Sequence, residues 1–107
     1  MGDAAAVGRL MTMTAQPGLG DRLAATMLRV ADGLRGFPGC EVYLVGRDRA
    51  DPDTVYVWEV WADEAASAAA LRAAAGQDGS PADVLGMLAA PPRRVDVDPL
   101  GGVGLPA

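Results

Sequence analysis

The chain has 107 residues and is half apolar, enough for one folded domain. Nine arginines, no lysine and fourteen acids give a net charge of -5, which argues against nucleic acid and anionic membrane surfaces. With no His and no Lys, imidazole-ligated zinc or haem, Ser-His and Cys-His nucleophile systems and Lys Schiff bases are excluded. Residues 8–15 alternate as a strand, ended by Gln16-Pro17-Gly18-Leu19-Gly20. From Asp21 the period changes to that of an amphipathic helix. Leu23, Met27, Val30, Ala31 and Leu34 form its apolar stripe, and Gly36 and Pro38 stop it.

Cys40 to Asp48 reads as a second strand, with Cys40, Val42 and Leu44 on one face and Glu41, Tyr43, Val45 and Arg47 on the other. After the polar turn 49–53, Thr54 to Ala62 carries the strongest strand signal, rich in β-branched and aromatic residues. The short turn implies an antiparallel hairpin. Asp63 is placed to cap an Ala-rich helix over 64–75, which the Gly76–Gly79 stretch breaks. Ser80-Pro81 opens another helix with apolar Val84, Leu85 and Leu88, and Pro91-Pro92 ends it. Arg93 to Asp98 alternates as a last strand. Residues 1–7 are expected to be a flexible tail without the basic flank and apolar stretch of a signal peptide, 8–99 the domain, and 100–107 a Gly-rich tail or arm.

The order β-α-β-β-α-α-β predicts an α+β, ferredoxin-like split βαβ fold with helices on one face of an antiparallel sheet. Twenty-one alanines thin the core, and a domain of this size buries only roughly two-thirds of its unfolded surface. The other sheet face has no helix to cover it. A second subunit's sheet is the expected cover. The lone Cys40 makes no internal disulfide, and no stretch reaches the ~18 apolar residues of a membrane span, so a cytoplasmic protein is expected.

The segment Val55-Tyr56-Val57-Trp58-Glu59-Val60-Trp61-Ala62-Asp63-Glu64-Ala65-Ala66 resembles the signature of the antibiotic biosynthesis monooxygenase family, a strand with Glu and a later aromatic running into an acidic-capped helix. The Pro-Gly before the first helix and the closing Pro99-Leu100-Gly101-Gly102-Val103-Gly104 fit the same pattern, so the resemblance spans roughly residues 8–104. It implies a dimeric α+β barrel with a pocket between sheet and helices, and cofactor-free oxygenation of polyketide-type aromatics or quinols. By this resemblance Trp61 and Glu59 are the catalytic candidates. Arg9, Arg47 or Tyr43 is available to hold an oxyanion.

Met11, Thr12, Tyr43, Val57 and Met87 are the expected substrate contacts, with Tyr56 and Trp58 at the dimer interface. No metal, flavin or haem is expected. The family's strand Asn falls near Met11 or Thr12 and its helix His near Ala68 to Leu71, and the chain has neither residue type. Family-type haem degradation, which needs an axial His, is thereby excluded.

Each candidate has a plainer role beside its chemical one. Trp61 serves as pocket wall or core filler, and Glu59 as acid/base group or as ion-pair partner of a neighbouring-strand Arg. Met11, Met13, Met27 and Met87 are core filler or an adaptable lining. Cys40 reads as a small buried hydrophobe, Arg93-Arg94 as a solvated pair, and Asp48, Asp51 and Asp53 as a solvated turn rather than a calcium loop. The expected function is a cofactor-independent, monooxygenase-like enzyme on an aromatic substrate and dioxygen. A non-oxidative cyclase, isomerase or decarboxylase and a silent ligand-binding protein are the alternatives.

Overall fold

The computed structural model describes residues 5–74 and 79–104. Parts of the expected tails (1–4 and 105–107), together with 75–78, where the Ala-rich helix was expected to end and break, lie outside the described residues. The elements are β1 (Val7–Thr14), α1 (Gly20–Gly33), β2 (Cys40–Arg47), β3 (Thr54–Trp61), α2 (Glu64–Ala74), α3 (Pro81–Met87) and β4 (Arg93–Val97). The strands form one antiparallel sheet in the order β2-β3-β1-β4, the ferredoxin-like arrangement predicted from the pattern.

Period-2 alternation divides the sheet cleanly. Val55 and Val57 of β3 lie opposite Met13 and Met11 of β1, on the face covered by helices. There Val55, Val57 and Leu23 of α1 are fully buried and pack with Met13, Met27, Met87 and Leu88. Leu23 and Met27 come from the α1 stripe. Met87 and Leu88 are drawn in because the end of α3 pairs with the end of β1, Ala89 N donating to Thr14 O at 2.9 Å and Gln16 N to Met87 O at 2.8 Å.

Helix ends follow local chemistry, except one. Asp63 accepts from the Ala66 N–H at 2.8 Å to cap α2, and Ser80 accepts from the Asp83 N–H at 3.3 Å to cap α3, as the sequence predicts. At the start of α1, Leu19 supplies no side-chain cap. Asp53 of the β2–β3 turn does so from afar, accepting from Gly20 N at 2.9 Å and Gly18 N at 3.3 Å. A Cβ on Gly20 would lie 2.1 Å from the Pro52 carbonyl oxygen, so this approach of turn to helix requires glycine.

The turn is solvated, as expected, and each of its acids also has a bonding task. Asp48 accepts from Ala50 N and Asp51 N at 2.8 and 3.0 Å, and Asp51 accepts from Asp53 N and the Thr54 hydroxyl at 3.0 and 2.7 Å. One correction concerns Cys40. A bulge between Cys40 and Val42 pairs Cys40 with Trp61, which moves it off the face of Val42 and Leu44 where strict alternation placed it.

The reverse face of the sheet carries Leu10, Leu44, Trp58, Val95 and Val97, all exposed, with the Tyr56 ring 6.0 Å from that of Trp58. Among the described residues no helix covers it. No described helix is long and apolar enough to cross a membrane.

Candidate functional site

Between the covered sheet face and the three helices lies a cavity of about 290 Å³. Its walls are mostly apolar: Met11, Met13 and Val57 from the sheet, Met27, Val30 and Leu34 from the α1 side, and Val84 from α3. Exposed Leu71, Leu85 and Arg94 form its rim. Alanine at positions 70 and 74 on α2 leaves room for the void, since a methyl group reaches little of the space above the sheet.

The polar groups gather on adjacent strands. Register places Arg9 of β1 opposite Glu59 of β3, and Glu59 opposite Tyr43 of β2, so the three form a row across the sheet, all lining the cavity. Trp61, two residues along β3 on the same face, is 2% exposed. Its indole Nε1–H donates to Glu59 Oε1 at 2.9 Å, and its ring meets Phe37 edge-on at 6.4 Å.

Arg9 is 8% exposed, an unusual depth for a guanidinium. Its Nη1 donates to the buried Ser67 hydroxyl and its Nη2 to Glu64 Oε1 at 2.5 Å, both on α2. The rest of its five N–H donors have no protein acceptor among the described residues. Tyr43 has its phenol pushed above its ordinary range, first by burial and then by the negative charge of Glu59. Burial and Glu59 likewise push the Cys40 thiol up, which keeps it a neutral hydrophobe rather than a thiolate.

Of the residues singled out from sequence, Glu59, Trp61, Tyr43, Arg9, Met11 and Val57 meet at this cavity. Thr12 does not: its cross-strand partners are Tyr56 and Arg93, on the uncovered face. Met87 lies in the packed core and does not line the cavity. Arg47 reaches away to Asp21 of α1 at 3.0 Å. Tyr56 and Trp58 stand on the face opposite Trp61, as alternation requires. Instead of the neighbouring-strand Arg ion pair considered for Glu59, the structure gives that carboxylate an indole donor. Ser67 was missed. Its signal was a single hydroxyl within the alanine run 65–70, on the helix that covers the sheet.

Fold and site together define a ferredoxin-like α+β protein with a largely apolar cavity that holds a Glu-Trp pair and a buried Arg. The family model for antibiotic biosynthesis monooxygenases matches residues 6–79, more than half of the chain, and the chain belongs to that family. None of the curated proteins compared with it matches. Among solved structures, it is similar to a protein of Chloroflexus aurantiacus J-10-fl provisionally assigned as an antibiotic biosynthesis monooxygenase. The identity is 31%, over 95% of this chain and 100% of the other, with a TM-score of 0.81. A protein of Caulobacter crescentus CB15 with the same provisional assignment is 22% identical, over 92% of each chain, with a TM-score of 0.75. A Mycobacterium tuberculosis protein is 17% identical, over 92% of this chain and 99% of the other, with a TM-score of 0.78. The last two likenesses show the shared fold.

Proposed function

We propose that the protein is a cofactor-independent, monooxygenase-like enzyme that oxygenates an aromatic polyketide-type or quinol substrate in this cavity. The observation that carries the reading is the Glu59 carboxylate, held by the Trp61 indole at 2.9 Å on a mostly apolar wall. A half-buried carboxylate fixed by a single donor is suited to act as a general base.

Glu59 takes a proton from an activated C–H or O–H of the substrate, and the electrons left behind delocalise into the ring system. Arg9 faces the developing oxyanion with its spare N–H donors, and the apolar walls strengthen that attraction. The carbanion passes one electron to dioxygen. The resulting superoxide and substrate radical combine to a peroxide anion, which takes back the proton held by Glu59 to give a hydroperoxide. Loss of water converts a former CH2 to a ketone, so one oxygen atom enters the product and the other leaves as water.

The same proposal includes a cytoplasmic homodimer in which the uncovered sheet faces of two copies pack together. Support comes from the exposure of Trp58 and Leu44, 39% and 57%, on a continuous apolar face. Oxygen uptake with anthrone and quinol substrates tests the reading. Stoichiometric uptake that collapses in Glu59→Gln supports it. Turnover without oxygen consumption would replace it by a non-oxidative isomerase, cyclase or decarboxylase, and tight binding without turnover by a ligand-binding protein.

A further inference from the structure

Arg9 and Glu59 are direct cross-strand neighbours on the cavity face of β1 and β3. Opposite charges so placed are within easy reach of one another, and pairing is their ordinary outcome. Here it does not occur. The guanidinium turns to α2, where the Ser67 hydroxyl and the Glu64 carboxylate accept from its two terminal nitrogens, and Glu59 is left to the Trp61 indole. Ser67 is 3% exposed and Glu64 lies at the surface, so the buried hydroxyl is the firmer anchor and the solvent-screened carboxylate the weaker one.

We infer that Ser67 and Glu64 are positioning residues that hold Arg9 away from Glu59 and thereby keep a free carboxylate and a fixed cation on the same cavity wall. The inference rests on the proposed role of Glu59 as base. If Arg9 turned to Glu59, the carboxylate would be neutralised by a salt bridge and the guanidinium would lose its place against a developing oxyanion. Both halves of the site would fail through one side-chain rotation. The inward position on an otherwise alanine-rich helix is therefore occupied by the smallest residue able to accept a hydrogen bond from the guanidinium.

The test combines Ser67→Ala, Glu64→Gln and their double variant with two readouts. One is the indole N–H resonance of Trp61 in a nitrogen–proton spectrum, assigned by its loss in Trp61→Phe. The other is steady-state oxygen uptake. In Ser67→Ala and the double variant the Trp61 resonance moves, as Arg9 competes with the indole for Glu59, and kcat falls about tenfold or more with KM nearly unchanged. Ser67→Thr, which restores the hydroxyl, returns both towards the parent values. Glu64→Gln alone, on an exposed side chain, keeps the fold and gives a smaller change of the same sign. An unmoved indole resonance with uptake within about twofold of the parent in the double variant would overturn the inference. The resonance is read without substrate, so Arg9 placement is scored even if Glu59→Gln leaves turnover intact and the base reading itself fails.

Discussion

The indole nitrogen of Trp61 and the carboxylate of Glu59, two residues apart on one face of β3, are joined by a 2.9 Å hydrogen bond inside the cavity. The alternation of the strand makes the bond possible, since residues i and i+2 project to the same side. A charge-assisted bond of this kind contributes more than a neutral one, and here it also fixes the carboxylate's direction.

Replacing Trp61 by Phe removes the donor while keeping an aromatic ring. Glu59 then loses its one protein hydrogen bond among the described residues, and turnover is expected to fall about tenfold or more. Glu59→Gln, which keeps shape but not basicity, is expected to lower kcat by roughly a hundredfold or more with little change in KM. Steady-state oxygen uptake measures both. If the two together leave uptake unaltered, the site assignment is wrong.

Tyr43 gives the alkaline behaviour. Burial and the nearby Glu59 raise its phenol above the ordinary value of 10.0, so the folded chain holds that proton more tightly than the unfolded chain does. The stability this provides is whole below pH 10 and is lost as pH rises through the folded value. Urea unfolding of the parent should therefore weaken steeply above pH 10, and Tyr43→Phe should weaken less over the same range. Parallel curves for the two would contradict the assignment.

Asp53 ties the β2–β3 turn to the first N–H groups of α1. Asp53→Ala leaves those donors to water and is expected to cost about 1 kcal/mol, in line with the loss of a local N-cap. In thermal unfolding that corresponds to a Tm lower by roughly 4–8 °C for a domain near this size. Cavity chemistry should be little affected, because Asp53 does not line the cavity.

The uncovered sheet face supplies a separate test. Trp58→Glu together with Leu44→Glu places charge on the apolar surface without touching the helix-covered core. Sedimentation of the parent is expected to show a dimer, and of the double variant a monomer. A parent that sediments as a monomer at high concentration would refute the dimer.

Much of the fold was legible because it is local. The alternation of Val55, Val57 and Trp61, the α1 stripe through Leu23 and Met27, and the capping Asp63 and Ser80 each depend on near neighbours in the chain. The site was legible only in part. The sequence offers Arg9 only as one of three oxyanion candidates, beside Arg47 and Tyr43, with nothing local to choose among them. The burial of Arg9 depends on Ser67, 58 residues away, through a register that no local pattern encodes. The Cys40 bulge escaped notice for a related reason: a single inserted residue reverses the face assignment of everything before it. Asp53 looked like one more solvated turn acid, and its service to α1 required the turn and helix to be seen side by side.

The Pro52–Gly20 approach bears on how this scaffold can be altered. Exposed hairpin turns are ordinarily the places where a tag, an epitope or a few extra residues can be inserted without harm. Here residues 49–53 are clamped from the other side, and lengthening them would lift Asp53 off the helix it holds. In this chain, the hairpin turn is a poor site for such grafts.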